Sequence, residues 1–138
     1  MLKLARHDAQ VRRFMTVPGV GPITSLVLIA ELPELGQLPD KQIVALCGLA
    51  PHARDSGKWH GKRTTRGGRA RVRTALYMAA LVATKHNLVI RTFYRSLLRA
   101  GKVKKVALTA CMRKLLVILN AMFRNQTSWQ PSRFVPGA

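Results

Sequence analysis

The sequence predicts an all-α protein, and three observations carry that prediction. Apolar residues recur at spacings of three and four in the longer segments, and no segment reads convincingly as a strand. Glycine and proline cluster between those segments and not inside them, as punctuation between helices does. Apolar residues make up 48% of the 138 residues while aromatics make up only 6%, so the core has to be built from leucine, valine and alanine, as in helical bundles. The chain is long enough for one domain with a real core and too short for two large ones.

Residues 2–15 read as a basic amphipathic helix, with Leu4, Val11, Phe14 and Met15 apolar and Lys3, Arg6, Arg12 and Arg13 outward. Thr16 to Pro22 holds two glycines and two prolines, which rules out continuous helix. An apolar run, Ile23 to Leu32, follows; Pro22 suits its start, because the first N–H of a helix has no partner anyway, and Pro33 closes it. Helix, tight glycine turn and helix over about 3–32 resemble a helix-hairpin-helix module. That resemblance implies that the hairpin, with Gly19 and Gly21, offers backbone N–H groups and a helix N-terminus to a nucleic-acid phosphate. The plainer reading is that the two glycines only let two helices turn tightly.

Asp40 is placed to cap a short helix from Lys41 to Cys47, ended by Gly48. A polar loop, 49–69, comes next. A helix over 70–85 then puts Val72, Leu76, Ala79, Val82 and Ala83 on one face. Arg69, Arg71 and Arg73 crowd its first turns, where positive charge opposes the helix dipole; a bound phosphate would reverse the sign of that effect. His86-Asn87 breaks the pattern. Leu88 to Arg99 resumes it with Ile90, Phe93, Tyr94, Leu97 and Leu98 on the apolar side, Gly101 ends it, and Val103 to Arg124 is apolar enough all round to be a core helix. Residues 125–138 are expected to form a loose tail. The domain is thus expected over 1–124.

Charge narrows the function. Twenty-four Lys and Arg against five Asp and Glu give a formal +19 and a pI near 11.7. Such an excess strains a fold by self-repulsion and is normally matched by a polyanion, with nucleic acid ahead of a membrane surface. The most apolar run, Leu115 to Phe123, is too short to span a bilayer, and no charged-then-apolar leader precedes the first helix. Cys47 and Cys111 stand alone in apolar surroundings and read as core residues of a cytoplasmic protein.

The loop has no apolar period but carries four glycines, His52, His60, one serine and many cations. The five acids are too scattered for a two-metal cluster, the histidines lack zinc-ligand spacing, and Gly67-Gly68 lacks the Lys-Ser/Thr of a phosphate-binding loop. Spacing does not establish a Ser-His-Asp arrangement either. Ser56 remains, as a nucleophile with Arg54, Lys58, Lys62, Arg63 and Arg66 able to hold a phosphate and spread its charge, or simply as a turn serine.

Ordered motifs then add to the reading. Val17-Pro18-Gly19-Val20-Gly21-Pro22, Leu46 to Pro51, Ser56-Gly57, Gly61-Lys62-Arg63, Arg66-Gly67 and Arg73 to Ala80, followed by Asn87, Phe93-Tyr94, Gly101-Lys102, Lys105-Val106-Ala107 and Lys114-Leu115-Leu116, resemble the carboxy-terminal transposase domain of the insertion-sequence family one-ten, whose members are bridge-RNA-guided serine recombinases. The resemblance covers nearly the whole chain. It implies that Ser56 is the nucleophile, that the domain binds DNA and a guide RNA, and that it works in a homo-oligomer. It also implies a RuvC-like, magnesium-binding half N-terminal to this region, which this chain does not supply, so that the chain is expected to be part of a larger enzyme and inactive alone. No cofactor is expected within it. The rival readings are a non-catalytic helix-hairpin-helix binding module or transposase remnant, and a basic structural protein of a ribonucleoprotein particle.

Overall fold

The computed structural model describes residues 2–51 and 67–131, and among them the apolar periodicity becomes six helices with no strand. They are α1 (Leu2–Phe14), α2 (Pro22–Glu31), α3 (Asp40–Leu46), α4 (Gly67–His86), α5 (Leu88–Arg99) and α6 (Lys104–Asn125). The all-α class read from the sequence is therefore the observed one. Two helices organise the rest: α4 packs on α2, α5 and α6, while α6 packs on α1, α3, α4 and α5. Between them lie the fully buried Leu28, Leu32, Leu35, Ile43, Leu76, Ile90, Leu115, Leu116 and Leu119, and Phe14 meets Phe123 with ring centroids 6.1 Å apart.

Small residues set how closely α2 approaches α4. Ala79, Ala80 and Ala83 are buried, and Gly19, with φ +107°, lies directly on Ala79 and Ala83. A Cβ on Gly19 would come within 2.9 Å of the Ala83 Cβ and 3.0 Å of the Ala79 carbonyl oxygen. Glu31, at the far end of α2, pairs with Arg71 in the second turn of α4, so the two helices run in opposite directions.

Two fully buried asparagines fasten this packing. Asn87 caps α5: its Oδ1 accepts from the N–H groups of Val89 (3.1 Å) and Ile90 (3.2 Å). Its Nδ2 donates to the Pro18 carbonyl (3.1 Å), which ties the α1–α2 turn to the α4–α5 corner. Asn120, on α6, accepts from the Gly36 N–H (2.7 Å) and donates to the Leu38 carbonyl (3.0 Å) and Asp40 Oδ1 (3.1 Å), strapping the α2–α3 connection to the core helix. Both side chains meet the requirement that a buried amide find partners.

Several boundaries differ from expectation. Asp40 does not cap α3; it lies inside the first turn, where its charge suits the dipole, and Pro39 takes the cap position without a side-chain hydrogen bond. α4 starts at Gly67 and not at Ala70, so Arg69 belongs to the helix and not to the loop: contacts to Arg69 hold a first turn whose two glycines read as loop. Val82 is exposed and Ala80 takes its place in the core, because the buried face of α4 is centred on Leu76 and Ala83. The expected loose tail is anchored at its start: Thr127 N–H donates to the Met122 carbonyl, Trp129 N–H donates to Thr16 Oγ1 (2.8 Å), and Trp129 packs on the core. Residues 132–138 lie outside the described residues. Helix α6 is longer than its most apolar run and is long and apolar enough to cross a membrane, yet over half of that window is buried against the other helices. Its apolarity belongs to the core.

The Asn87 clamp gives a direct expectation. Asn87→Ala removes a cap and strands the Pro18 carbonyl, at a combined cost of about 2–4 kcal/mol in urea unfolding. Asn87→Ser keeps a capping oxygen without the reach to Pro18 and should fall between Ala and wild type. Equal losses for the two variants would mean the cap contributes nothing.

Candidate nucleic-acid interface

Ser56, Arg54, Lys58, Lys62, Arg63 and Arg66 lie in 52–66, outside the described residues. The structure does describe the frame from which that loop springs. On the entry side, Leu49 is buried and its N–H donates to the Val44 carbonyl (3.0 Å). Arg113 of α6 donates to the Leu49 carbonyl (3.1 Å), and Arg73 of α4 donates to the Cys47 carbonyl (3.3 Å). Gly48, at φ +74°, makes room for Arg73, whose NH1 would be 3.1 Å from a Cβ there. Arg113 escaped the sequence reading, because its value lies in a contact 64 residues away and no local signal marks it.

On the exit side, Arg69 forks onto Glu34, NH2 to Oε2 at 2.9 Å and NH1 to Oε1 at 3.2 Å, and also donates to the Glu31 carbonyl (3.2 Å). Two parallel charge-assisted bonds make this the most directional ion pair described. The Arg69 hydrogen bond holds the Glu34 carboxyl below its ordinary value of 4.5, outweighing the opposing effect of burial. The same bond raises Arg69. Arg71 pairs with Glu31 at 2.8 Å, but its side chain is 74% exposed, so this contact is weak and easily exchanged. Two of the three arginines at the start of α4 are thus paired with carboxylates of the α2 end and the turn after it.

The three α4 arginines are therefore not equivalent. Arg69 is part of the scaffold. Arg71 faces solvent with a replaceable partner. Arg73 uses one of its five N–H donors on a neutral carbonyl, and among the described residues its charge meets no carboxylate. The two hairpin glycines also part company. Gly19 faces α4, whereas a Cβ on Gly21 would meet nothing within 4 Å. Gly21 sits at the N-cap of α2 without a side-chain cap, and Ile23 in the first turn is 72% exposed. The α1–α2 turn is thus open beside Gly21 and closed against α4 at Gly19.

Cys47 and Cys111 are buried, and burial pushes both thiols up to about 11, so neither offers a thiolate. Among the described residues no three His, Cys, Asp or Glu side chains converge on a metal position. Of the described carboxylates, Asp8 pairs with Arg12, Glu31 with Arg71, Glu34 with Arg69, and Asp40 accepts from Asn120. Among the described residues this donor set does not suit magnesium.

Residues 11–95, more than half of the chain, match the family model described as Transposase IS116/IS110/IS902 family. A Streptomyces coelicolor protein, "Insertion element IS110 uncharacterized 43.6 kDa protein", is 29% identical over 117 residues, 83% of this chain and 29% of that protein. A Mycobacterium paratuberculosis protein, "Insertion element IS900 uncharacterized 42 kDa protein", is 36% identical over 131 residues, 92% of this chain and 33% of that protein. A "Pilin gene-inverting protein" of Moraxella bovis is 31% identical over 113 residues, 79% of this chain and 35% of that protein. The chain spans about a third of the length of these curated relatives.

The Glu34–Arg69 pair yields a pH signature. A carboxyl whose folded pKa is depressed stabilises the fold above its unfolded value and loses that contribution as pH falls through the folded one. Wild-type stability should therefore decline below the ordinary 4.5 of Glu34. In Glu34→Gln the wild-type advantage should be present at pH 6 and shrink as pH falls below that value. A constant difference between the two proteins across that window in thermal unfolding would show that the pair is not linked to folding.

Proposed function

Because the chain belongs to the IS116/IS110/IS902 transposase family, we propose that it is a DNA-recombination and transposition domain whose Ser56 is the nucleophile of strand transfer. The observation that carries this reading is the family match, which runs through the hairpin, the whole basic loop and α4. The frame around the loop adds to it: Arg73 and Arg113 grip the entry, and Arg69 holds the exit to Glu34. A loop fixed at both ends by charged hydrogen bonds suits a reaction in which position supplies much of the rate.

The step is a transesterification. The Ser56 hydroxyl oxygen attacks a DNA phosphorus, the Oγ–P bond forms and the bond to a deoxyribose oxygen breaks. The serine proton leaves to a base and the departing oxygen takes up a proton, giving a phosphoserine and a free strand end. Attack by a second strand's hydroxyl reverses these changes and restores the serine. Arg54, Lys58, Lys62, Arg63 and Arg66, with Arg73 beside the stem, would hold the phosphate and spread the charge that builds on its oxygens. Gly21 and the start of α2 would grip a backbone phosphate away from the reacting one. In this reading the domain works with DNA, a guide RNA, further copies of itself and a separate RuvC-like half that holds magnesium.

Two experiments test it. The chain is combined with the magnesium-binding half of a relative, its guide RNA and DNA ends, then run on a denaturing gel. A covalent protein–DNA adduct is expected from wild type and its loss from Ser56→Ala; adduct of equal yield from that variant would sink the nucleophile. The hairpin is tested separately with Gly21→Asp. The new side chain can cap α2, so stability should hold or rise by about 0.5 kcal/mol, while its charge should lower duplex affinity at least about tenfold. A stable Gly21→Asp chain with unchanged affinity would remove the hairpin from the interface.

A further inference from the structure

Beyond the loop and the hairpin, we propose a second nucleic-acid surface: the outer face of α5 with the turn into α6, which grips the backbone of duplex DNA through Arg91, Arg95, Arg99, Lys102, Lys104 and Lys105. This inference rests on the DNA binding proposed above and extends it to residues that neither the hairpin nor the loop contains.

The distribution of charge leads to it. No Asp or Glu follows Asp55 in the sequence, although most of the 24 Lys and Arg do. The four described acids lie on α1, at the α2 end and at the start of α3, and each is engaged there. None lies on α4, α5 or α6. Among the described residues the six cations make no ion pair, so no described carboxylate balances the charge on this face.

Helix geometry turns these cations into a surface. The apolar side of α5 is buried through Val89 and Ile90, with Phe93 and Tyr94 packed on the core. Arg91, Arg95 and Arg99 recur every four residues on the opposite side, with Thr92 and Ser96 exposed beside them. At about 1.5 Å per residue, the line from Arg91 to Arg99 is about 12 Å long, about the width of a B-DNA major groove. Lys102, Lys104 and Lys105 extend it around the Gly101 turn, and all three are exposed. Lys104 and Lys105 sit in the first turn of α6, which has no acid and no side-chain cap. Two cations at that end cost stability in isolation and become favourable only when an anion meets the helix start.

The same features select duplex DNA over other polyanions. The face is one side of a single helix, a shape suited to a B-form major groove and not to the deep, narrow groove of A-form RNA. The α5 aromatics pack on the core and leave this face without the exposed stacking platform that single strands use.

The test compares three versions of this chain on a 20-base-pair DNA duplex and on an RNA stem-loop of equal phosphate number, each across a salt series. The first is wild type. The second is Arg91→Gln, Arg95→Gln, Arg99→Gln; glutamine is a good helix former at outward positions, and circular dichroism should confirm an unchanged fold. The third is Arg12→Gln, Lys41→Gln, Arg124→Gln, with the same net charge and the changes elsewhere. The α5 variant should lower the slope of log K against log salt on duplex DNA by about 2.7 and weaken binding on the order of a hundredfold at 0.1 M salt. The control should move the slope by less than about one. Equal losses in both variants would reduce the effect to net charge and overturn the proposal. A loss confined to the RNA stem-loop would overturn it as well. If wild type binds neither probe, the DNA reading of the whole domain falls; if wild type binds duplex and the α5 variant matches the control, only the α5 surface falls.

Discussion

The close approach of the α1–α2 turn to α4, sealed by the Asn87 side chain, is the constraint on which the rest of the structure depends. Gly19 can lie on Ala79 and Ala83 only because it has no Cβ, and that approach puts the Pro18 carbonyl within reach of Asn87. One amide then serves three backbone groups: two N–H donors at the start of α5 and a carbonyl on the turn. Because it is fully buried, each bond is worth more than it would be in water, and the loss of any one strands a polar group. The direction of α2 against α4, and with it the meeting of Glu31 and Glu34 with the arginines of α4, follows from this corner.

That meeting explains how so basic a chain folds. A +19 molecule with few acids cannot neutralise itself evenly, and it does not try to. Two of its four described acids, Glu31 and Glu34, meet α4 where the loop rejoins the bundle, where Arg69 would otherwise be a partly buried unpaired cation, while the cations of α5 and of the turn into α6 have no described acid beside them. Asn120 does comparable work at the α2–α3 connection, where one amide meets a backbone N–H, a carbonyl and a carboxylate. Rigidity is thus placed under the loop.

Much of the fold was legible because it is periodic. The apolar spacing located the six helices to within a few residues, and Pro22 and Gly101 marked boundaries that the structure keeps. What escaped was non-local. Asp40 looks like a cap from its neighbours alone, yet its Oδ1 is claimed by Asn120, 80 residues on. Gly67-Gly68 reads as loop, yet Arg69 is held to Glu34 from outside the helix. The same limit applied to the candidate site: the arginine cluster at the start of α4 was visible as a cluster, but its sorting into a scaffold residue, a weakly paired one and one that meets no described carboxylate depends on Glu31, Glu34 and Cys47, which the sequence does not mark as neighbours.

The sorting also bears on how a domain of this kind can hold a strongly basic loop. Cations packed close together repel, and a loop with many of them gains nothing from order unless its ends are fixed by interactions the repulsion cannot outweigh. Here both ends are fixed by arginines, but through different partners: carbonyls at the entry and a carboxylate at the exit. Carbonyl anchors leave the cationic charge of Arg73 and Arg113 intact beside the loop, whereas a carboxylate anchor removes that of Arg69. Among the described residues, the loop therefore leaves the bundle beside two arginines that have no carboxylate partner and rejoins it beside the paired Arg69 and Glu34.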